Sequence, residues 1–286
     1  MLLKMVLLVF LVSTHYIFTH STIFMHLLFS FTADLIINMD ETGVRIVPAK
    51  ETTMAKRGSR QVQVIGLDDK RQITAVMACS MSGDLLPLQV VYGGKTDKCH
   101  PRFDFPDDFH ITHSVNHWSN QTTTEQWIEN ILVPYLDRKR EELELAPEHP
   151  ALCILDLFAA HRVEPIVAAF ARHHIKVVFV PGGCTGELQP LDLSCNDPFK
   201  EILSQHFSDW YASRITSAPD DNTPIKVDMR LTAIKPTHAE WLVSSWRTLR
   251  ENKAAIIRGW HQAGIISATS AAPNSEEEEN VIDIII

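Results

Sequence analysis

Three aspartates carry the chemistry this chain could do. Asp40 follows Ile36-Ile37-Asn38-Met39 and precedes Glu41-Thr42-Gly43; Asp156 closes Leu152-Cys153-Ile154-Leu155; Asp192 closes Leu188-Gln189-Pro190-Leu191. Each ends an apolar run and is followed by a turn-like sequence. A carboxylate at the end of a buried strand stands at the sheet's carboxyl edge, where open α/β sheets bind ligands. Three of them converging there make an oxygen-rich site suited to hard cations such as Mg²⁺, and through them to phosphodiester chemistry. Taken singly, each also has a structural reading. Asp156 and Asp192 suit helix caps, and Asp40-Glu41-Thr42-Gly43 suits a turn in which Gly43 supplies a positive φ.

The elements that must position these groups follow from periodicity. Strands are predicted near Asp34 to Met39, Val62 to Leu67, Ile73 to Ser80 and Leu85 to Tyr92, the last three separated by short polar loops. After an irregular stretch from Gly93 to Asn120, Thr122-Thr123-Thr124-Glu125 reads as a capping box opening a helix from about Thr124 to Leu143. Ala151 to Leu155 reads as a buried strand, Val163 to His173 as a helix, and Lys176 to Val180 as a second buried strand. Helices are expected at Pro198 to Tyr211 and over Ala239 to Trp260. The 35 residues between Asp156 and Asp192 leave room for a helix, a strand and a return loop, which would set two strand ends side by side. A first strand, an antiparallel meander, then alternating helices and parallel strands give an α/β class with a mixed sheet, helices on both faces, compatible with a ribonuclease-H-like fold.

Bulk properties bound the partners. A 286-residue chain with 45% hydrophobic residues can bury a full core. Five cysteines, Cys79, Cys99, Cys153, Cys184 and Cys195, show no framework spacing and read as reduced thiols of a cytosolic or nuclear protein. The net charge of -9 disfavours a general basic affinity for nucleic acid, so any DNA contact must be local. Residues 1–31 combine Lys4 with the apolar run Met5 to Val12, which resembles a secretory signal without a clean cleavage pattern. Interruptions by serine, threonine and histidine argue against a clean membrane span. Two readings stay open for this segment: membrane-directed, or the non-native start of a truncated frame, the second favoured by the intracellular look of the rest. Glu276 to Glu279 begin an acidic tail, residues 269–286, too charged to pack.

Longer blocks add a resemblance. Asn38-Met39-Asp40-Glu41-Thr42-Gly43, Leu155-Asp156-Leu157-Phe158-Ala159-Ala160-His161-Arg162 and Pro181-Gly182-Gly183-Cys184-Thr185-Gly186-Glu187-Leu188-Gln189-Pro190-Leu191-Asp192 resemble, in order, the three catalytic blocks of the DDE superfamily endonuclease domain. That domain belongs to pogo-like, Tigger-like and jerky-like transposases and to domesticated relatives such as centromere protein B. Connecting text is similar too: Gly66-Leu67-Asp68-Asp69-Lys70, Ser82-Gly83-Asp84-Leu85-Leu86-Pro87, Tyr92-Gly93-Gly94-Lys95-Thr96 and Asn116-His117-Trp118-Ser119. The resemblance runs from about Asp34 to Gly264 and divides the chain into a DDE endonuclease-like domain over 32–215 and a helical extension over 216–268.

The resemblance implies that Asp40, Asp156 and Asp192 bind two Mg²⁺ or Mn²⁺ ions for cleavage or strand transfer of DNA. It implies that His161, in the first turns of the following helix, touches the scissile phosphate or braces the site, and that Lys200 could meet a phosphate; for both, a solvated or structural role is equally open. It further implies a nuclear location and a possible homo-oligomer, since transposition joins two DNA ends. Three departures stand against the pattern. Leu157 replaces the Asn common after the second aspartate, Asp197 stands where a basic residue is common, and nothing before Asp34 resembles the helix-turn-helix domains that precede such cores. The alternative reading is therefore a domesticated or decayed copy that keeps the fold for DNA or protein contacts without turnover.

Two further constellations read as structural. Cys99-His100 with His110, His113 and His117 offers ligand types for zinc, but the spacing fits no standard tetrahedral pattern, and these histidines read as packing or solvent-facing groups in a loop. Trp241, Trp246 and Trp260 read as core or interface anchors rather than a base-stacking platform.

Overall fold

The computed structural model describes residues 31–49, 70–216 and 227–266. The apolar stretch before Phe31, the strand predicted over Val62 to Leu67 and the acidic tail lie outside the described residues.

Six strands form one sheet in the order β4-β3-β2-β1-β5-β6. They are β1 (Ile36–Arg45), β2 (Gln72–Ser80), β3 (Gln89–Gly93), β4 (His110–Ser114), β5 (Ala151–Asp156) and β6 (Ile175–Val180). β1, β2 and β3 pair antiparallel, while β1-β5, β5-β6 and β3-β4 are parallel. An antiparallel meander continued by parallel strands on its first member is the ribonuclease-H-like arrangement, with β4 added at one edge.

The helices are α1 (Gln121–Trp127), α2 (Val133–Glu142), α3 (Glu164–Arg172), α4 (Thr185–Leu188), α5 (Pro190–Ser194), α6 (Asn196–Thr216), α7 (Leu231–Glu251) and α8 (Lys253–Gln262). Alternation along β1 assigns them to two faces, because successive side chains on a strand point opposite ways. Ile36, Val44 and Ile46 enter a core shared with Leu191, Phe199, Leu203, Leu242, Ile256 and Trp260 of α5 to α8. Leu35, Ile37 and Met39 enter a second core with Trp127, Leu132, Leu136, Ile166 and Phe170 of α1 to α3 and the turn between them. Helices thus cover both faces. Trp241, Trp246 and Trp260 are buried, and Trp246 Nε1 donates to Leu86 O at 2.8 Å, so they are core anchors as expected.

Several expectations need correction. β1 does not stop at Met39: Asp40 to Gly43 pair in register with Met77 to Thr74, so the predicted turn is strand. Cross-strand pairing out to Arg45–Gln72 outweighs the local turn preference, and Gly43 takes no positive φ, unlike Gly83, Gly183 and Gly264. The strand at Leu85 to Tyr92 begins only at Gln89, after Pro87. β4 lies inside the stretch read as irregular; its mixed sequence His-Ile-Thr-His-Ser suits an edge strand and gives little periodic signal.

The capping box is formed by Asn120 and Thr123, not by the Thr122 to Glu125 group: Asn120 Oδ1 accepts from Thr123 N at 3.1 Å and Asn120 N donates to Thr123 Oγ1 at 2.8 Å. A π-turn at Ile128–Leu132 joins α1 to α2, where Pro134 cannot donate to the preceding turn. The segment Ala239 to Trp260 is two helices, broken at Asn252, whose side chain caps α8 by accepting from Ala255 N at 3.1 Å. All five cysteines are free thiols. Among the described residues no helix is long and apolar enough to cross a membrane.

Candidate metal centre

Asn38 is the keystone of the site, although it is not a ligand candidate. It is fully buried (0% exposed) within the apolar run of β1, where an unpaired amide would be costly. Its Nδ2 donates to Ile154 O on β5 at 3.1 Å, and its Oδ1 accepts from Leu191 N at the start of α5 at 3.0 Å. One side chain therefore fixes the ends of β1 and β5 and the helix that carries Asp192. Pro190, whose missing N–H is no loss in a first helical turn, opens that helix.

Two residues beyond Asn38 on the same face, Asp40 meets α5 and α6. Asn196, the first residue of α6 and one turn after Asp192, places Nδ2 2.6 Å from Asp40 Oδ2 and 2.8 Å from Asp192 Oδ1. A single buried amide thus draws two carboxylates together. Asp192 does not end a strand, as the spacing argument expected: β6 closes at Val180, and Asp192 comes in on the first turn of α5.

Asp156 is the last residue of β5. β1 and β5 run parallel with Asn38 opposite Ile154, so continuing that register by two residues sets Asp40 level with Asp156. His161 lies in a 3-10 turn (Ala159–Arg162) ahead of α3, not in the helix itself. It is 1% exposed, with Nδ1 2.9 Å from Asp156 Oδ1, an ion-pair contact bent away from hydrogen-bond geometry, and Nε2 3.2 Å from Glu41 Oε1. Lys200 stands one turn after Asn196 on α6, half-buried.

Crowding shifts the acidities of these groups. Asp40 is pushed up to about 7, first by burial and then by the charge of Asp192, with Asp156 adding a smaller push; the Asn196 amide and a backbone hydrogen bond act in the opposite direction. For His161, burial favours the neutral ring, but the carboxylates of Asp156 and Glu41 outweigh it and raise the imidazole to about 9. Among the described residues no Lys or Arg pairs with Asp40, Asp156 or Asp192. A buried acceptor, Asn196 Oδ1, also has no protein partner. Asn196 brings Asp40 and Asp192 together, while Asp156 stands farther off and the three carboxylates do not all lie within 4.8 Å of one another; the all-oxygen donor types fit a hard divalent cation.

The sequence profile of the DDE superfamily endonucleases matches residues 70–260, two thirds of the chain. This chain belongs to the DDE superfamily endonucleases. The match includes Asp156 and Asp192 and begins downstream of Asp40, so Asp40 joins the group through the Asn196 bridge rather than through the profile.

Among curated proteins, this DDE chain is similar to the human pogo transposable element with KRAB domain, 24% identical over 250 residues, covering 86% of this chain and 36% of that protein. The mouse counterpart is 23% identical, covering 86% and 37%, and the human pogo transposable element with ZNF domain is 19% identical over 193 residues, covering 68% and 13%. The chain spans about a third of the length of the first two. Among solved structures it is loosely similar to a pre-cleavage Mos1 transpososome, at 12% identity, TM-score 0.46, covering 81% of this chain and 60% of that one. The Mos1 mariner paired end complex with Mn gives 13%, 0.44, 80% and 60%.

Three contributors escaped the reading of the sequence as functional groups. Asn38 was legible as an amide inside an apolar strand, and Asn196 as a polar residue one helical turn after Asp192. Glu41 stands beside Asp40 but points to the opposite face, and nothing local announces its contact with His161.

Proposed function

We propose that this domain is a metal-dependent DNA endonuclease in which Asp40, Asp156 and Asp192 hold the catalytic cations. The observation that carries the reading is the Asn196 bridge between Asp40 and Asp192, which keeps two repelling carboxylates side by side where α5 and α6 meet the middle of β1. Bound there, two Mg²⁺ or Mn²⁺ ions would supply activation of a water or 3′ hydroxyl and stabilisation of the leaving oxygen.

The chain's own residues set the stage. Asn196 orients Asp40 and Asp192 by donating to one oxygen of each. His161, protonated at neutral pH because of its two carboxylate neighbours, is no general base; it positions Asp156 and keeps Glu41 turned from the cluster. Leu157 and Phe158 expose apolar surface directly after Asp156, and Phe158 packs edge-on against His161 at 5.4 Å. With a net charge of -9, DNA binding by the chain is weak and non-specific, dominated by the cations at this site. Two DNA ends would be joined by two copies of the chain.

The test is nicking of supercoiled plasmid by the chain in Mg²⁺ or Mn²⁺. Cleavage by the wild type that disappears in Asp40→Asn and in Asp192→Asn supports the proposal. Cleavage surviving both substitutions refutes it.

A further inference from the structure

The loop after β3 and the edge strand β4 bring together a second set of ligand types. Cys99 Sγ, a ring nitrogen of His100 and a ring nitrogen of His113 all lie within 4.8 Å of one another. Cys99 ends a 3-10 turn (Asp97–Cys99), His100 caps it, and His113 sits on β4 directly across from Tyr92 of β3. His110 and His117, named with them on sequence grounds, are not part of the cluster.

We propose that Cys99, His100 and His113 form a zinc site at this sheet edge, separate from the aspartate cluster, with water in the fourth position. The distances support it. His113 Nδ1 is 3.2 Å from His100 Nε2 and 3.4 Å from Asp97 Oδ1. Zinc bonds of about 2.0–2.3 Å at tetrahedral angles place neighbouring ligand atoms roughly 3.3–3.6 Å apart. His113 Nδ1 faces two polar neighbours at once, a crowding that a single cation relieves.

The geometry is held in place without metal. A side chain at Gly94 would collide with Cys99 Cβ and come within 2.7 Å of its Sγ, so only glycine admits the thiol at this position. Cys99 N donates to Thr96 O at 3.0 Å, His100 N to Asp97 O at 2.9 Å, and Lys235 Nζ to Cys99 O at 2.6 Å. The His100 ring rests against Tyr92 and His113, with centroids 5.8 and 5.2 Å away. All three ligands are half-buried, which leaves an entry path.

Ligand chemistry selects the metal. A thiolate with two imidazoles prefers zinc over Mg²⁺, whereas the all-aspartate cluster prefers Mg²⁺. On binding, Cys99 loses its thiol proton to solvent and the cation ties the loop after β3 to β4, closing residues 94–109 against the sheet.

The full chain, purified under reducing conditions without chelator, is expected to carry about one zinc per chain by elemental analysis. Exchanged into Co²⁺, it should show thiolate-to-cobalt charge-transfer absorption with intense tetrahedral visible bands, unmoved by excess Mg²⁺. Cys99→Ser should abolish the charge-transfer band, and His100→Ala should weaken Co²⁺ binding by roughly tenfold or more. His113→Cys supplies a second thiolate and should strengthen the band, an outcome that misfolding does not give. A band that persists in Cys99→Ser, no band in the folded wild type, or a His113→Cys band no stronger than wild type would overturn the proposal and leave a hydrogen-bonded Asp97-His113-His100 chain.

Discussion

Asn196 Nδ2 lies 2.6 Å from Asp40 Oδ2, a contact that crosses from the first residue of α6 to the middle of β1. The same nitrogen reaches Asp192 at 2.8 Å, so one buried amide decides whether the two carboxylates stand together or swing apart. Its removal takes away both the Nδ2 bridge and the unpartnered Oδ1 beside it. Asn196→Ala is expected to lower Mn²⁺ affinity by about 10-fold or more, as loss of an outer-shell partner does. Calorimetric titration reads it, and an unchanged affinity would mean the bridge is decorative.

The cluster also sets the stability of the metal-free chain. Asp40 titrates near 7 when folded and near 3.8 when unfolded, so its favourable contribution is complete below about pH 4 and is lost as the pH rises toward 7. The expected loss is on the order of a few kcal/mol. In chelator, Asp40→Asn should therefore melt higher than wild type at pH 7.5 and show no advantage at pH 4, while Mg²⁺ should stabilise wild type alone. Thermal melts across pH check both signs.

His161 carries the opposite dependence. Its folded value of about 9 lies above the ordinary 6.5, so its stabilisation is complete below about 6.5 and disappears as the pH rises through 9. His161→Gln should remove that alkaline loss and cut plasmid nicking by about 10-fold at pH 7.5, since Asp156 then lacks its cationic partner. A variant as active as wild type would assign His161 to packing.

Far from the site, His238 on α7 is buried, with Nε2 3.1 Å from Arg45 O at the end of β1 and no partner for Nδ1. Burial lowers it to about 4, partly offset by the Arg45 carbonyl. Its stabilising effect is complete above about 6.5 and is lost as the pH falls through 4, on the order of 3 kcal/mol. His238→Gln should flatten that acid limb in denaturant titrations at pH 7 and pH 4.5.

Much of this architecture was written in local sequence. Ala151 to Leu155 and Lys176 to Val180 gave parallel strands within a residue of their observed ends: the first is a fully buried apolar run, and the second is an apolar run only partly covered, both bounded by turn residues. The failures have a common cause in tertiary pairing. Asp40 to Gly43 spells a turn, and β2 makes it strand. His110 to Ser114 spells a loop, and β3 makes it an edge strand. Asp192 belongs to the aspartate group the sequence singled out, yet the helix that carries it replaces the strand that spacing suggested. The reach of Asn196 to Asp40 and the meeting of Cys99 and His100 with His113 depend on elements that come together only after the sheet has formed.

The most direct measurement is a Mn²⁺ titration of the chain beside Asp40→Asn, Asp156→Asn and Asp192→Asn, with the Cys99 cluster blocked by prior loading with zinc. Saturable binding in the wild type, weakened by about 10-fold or more in each variant, is the predicted result. Equal affinity in wild type and all three variants would contradict the account, leaving three carboxylates that hold no metal.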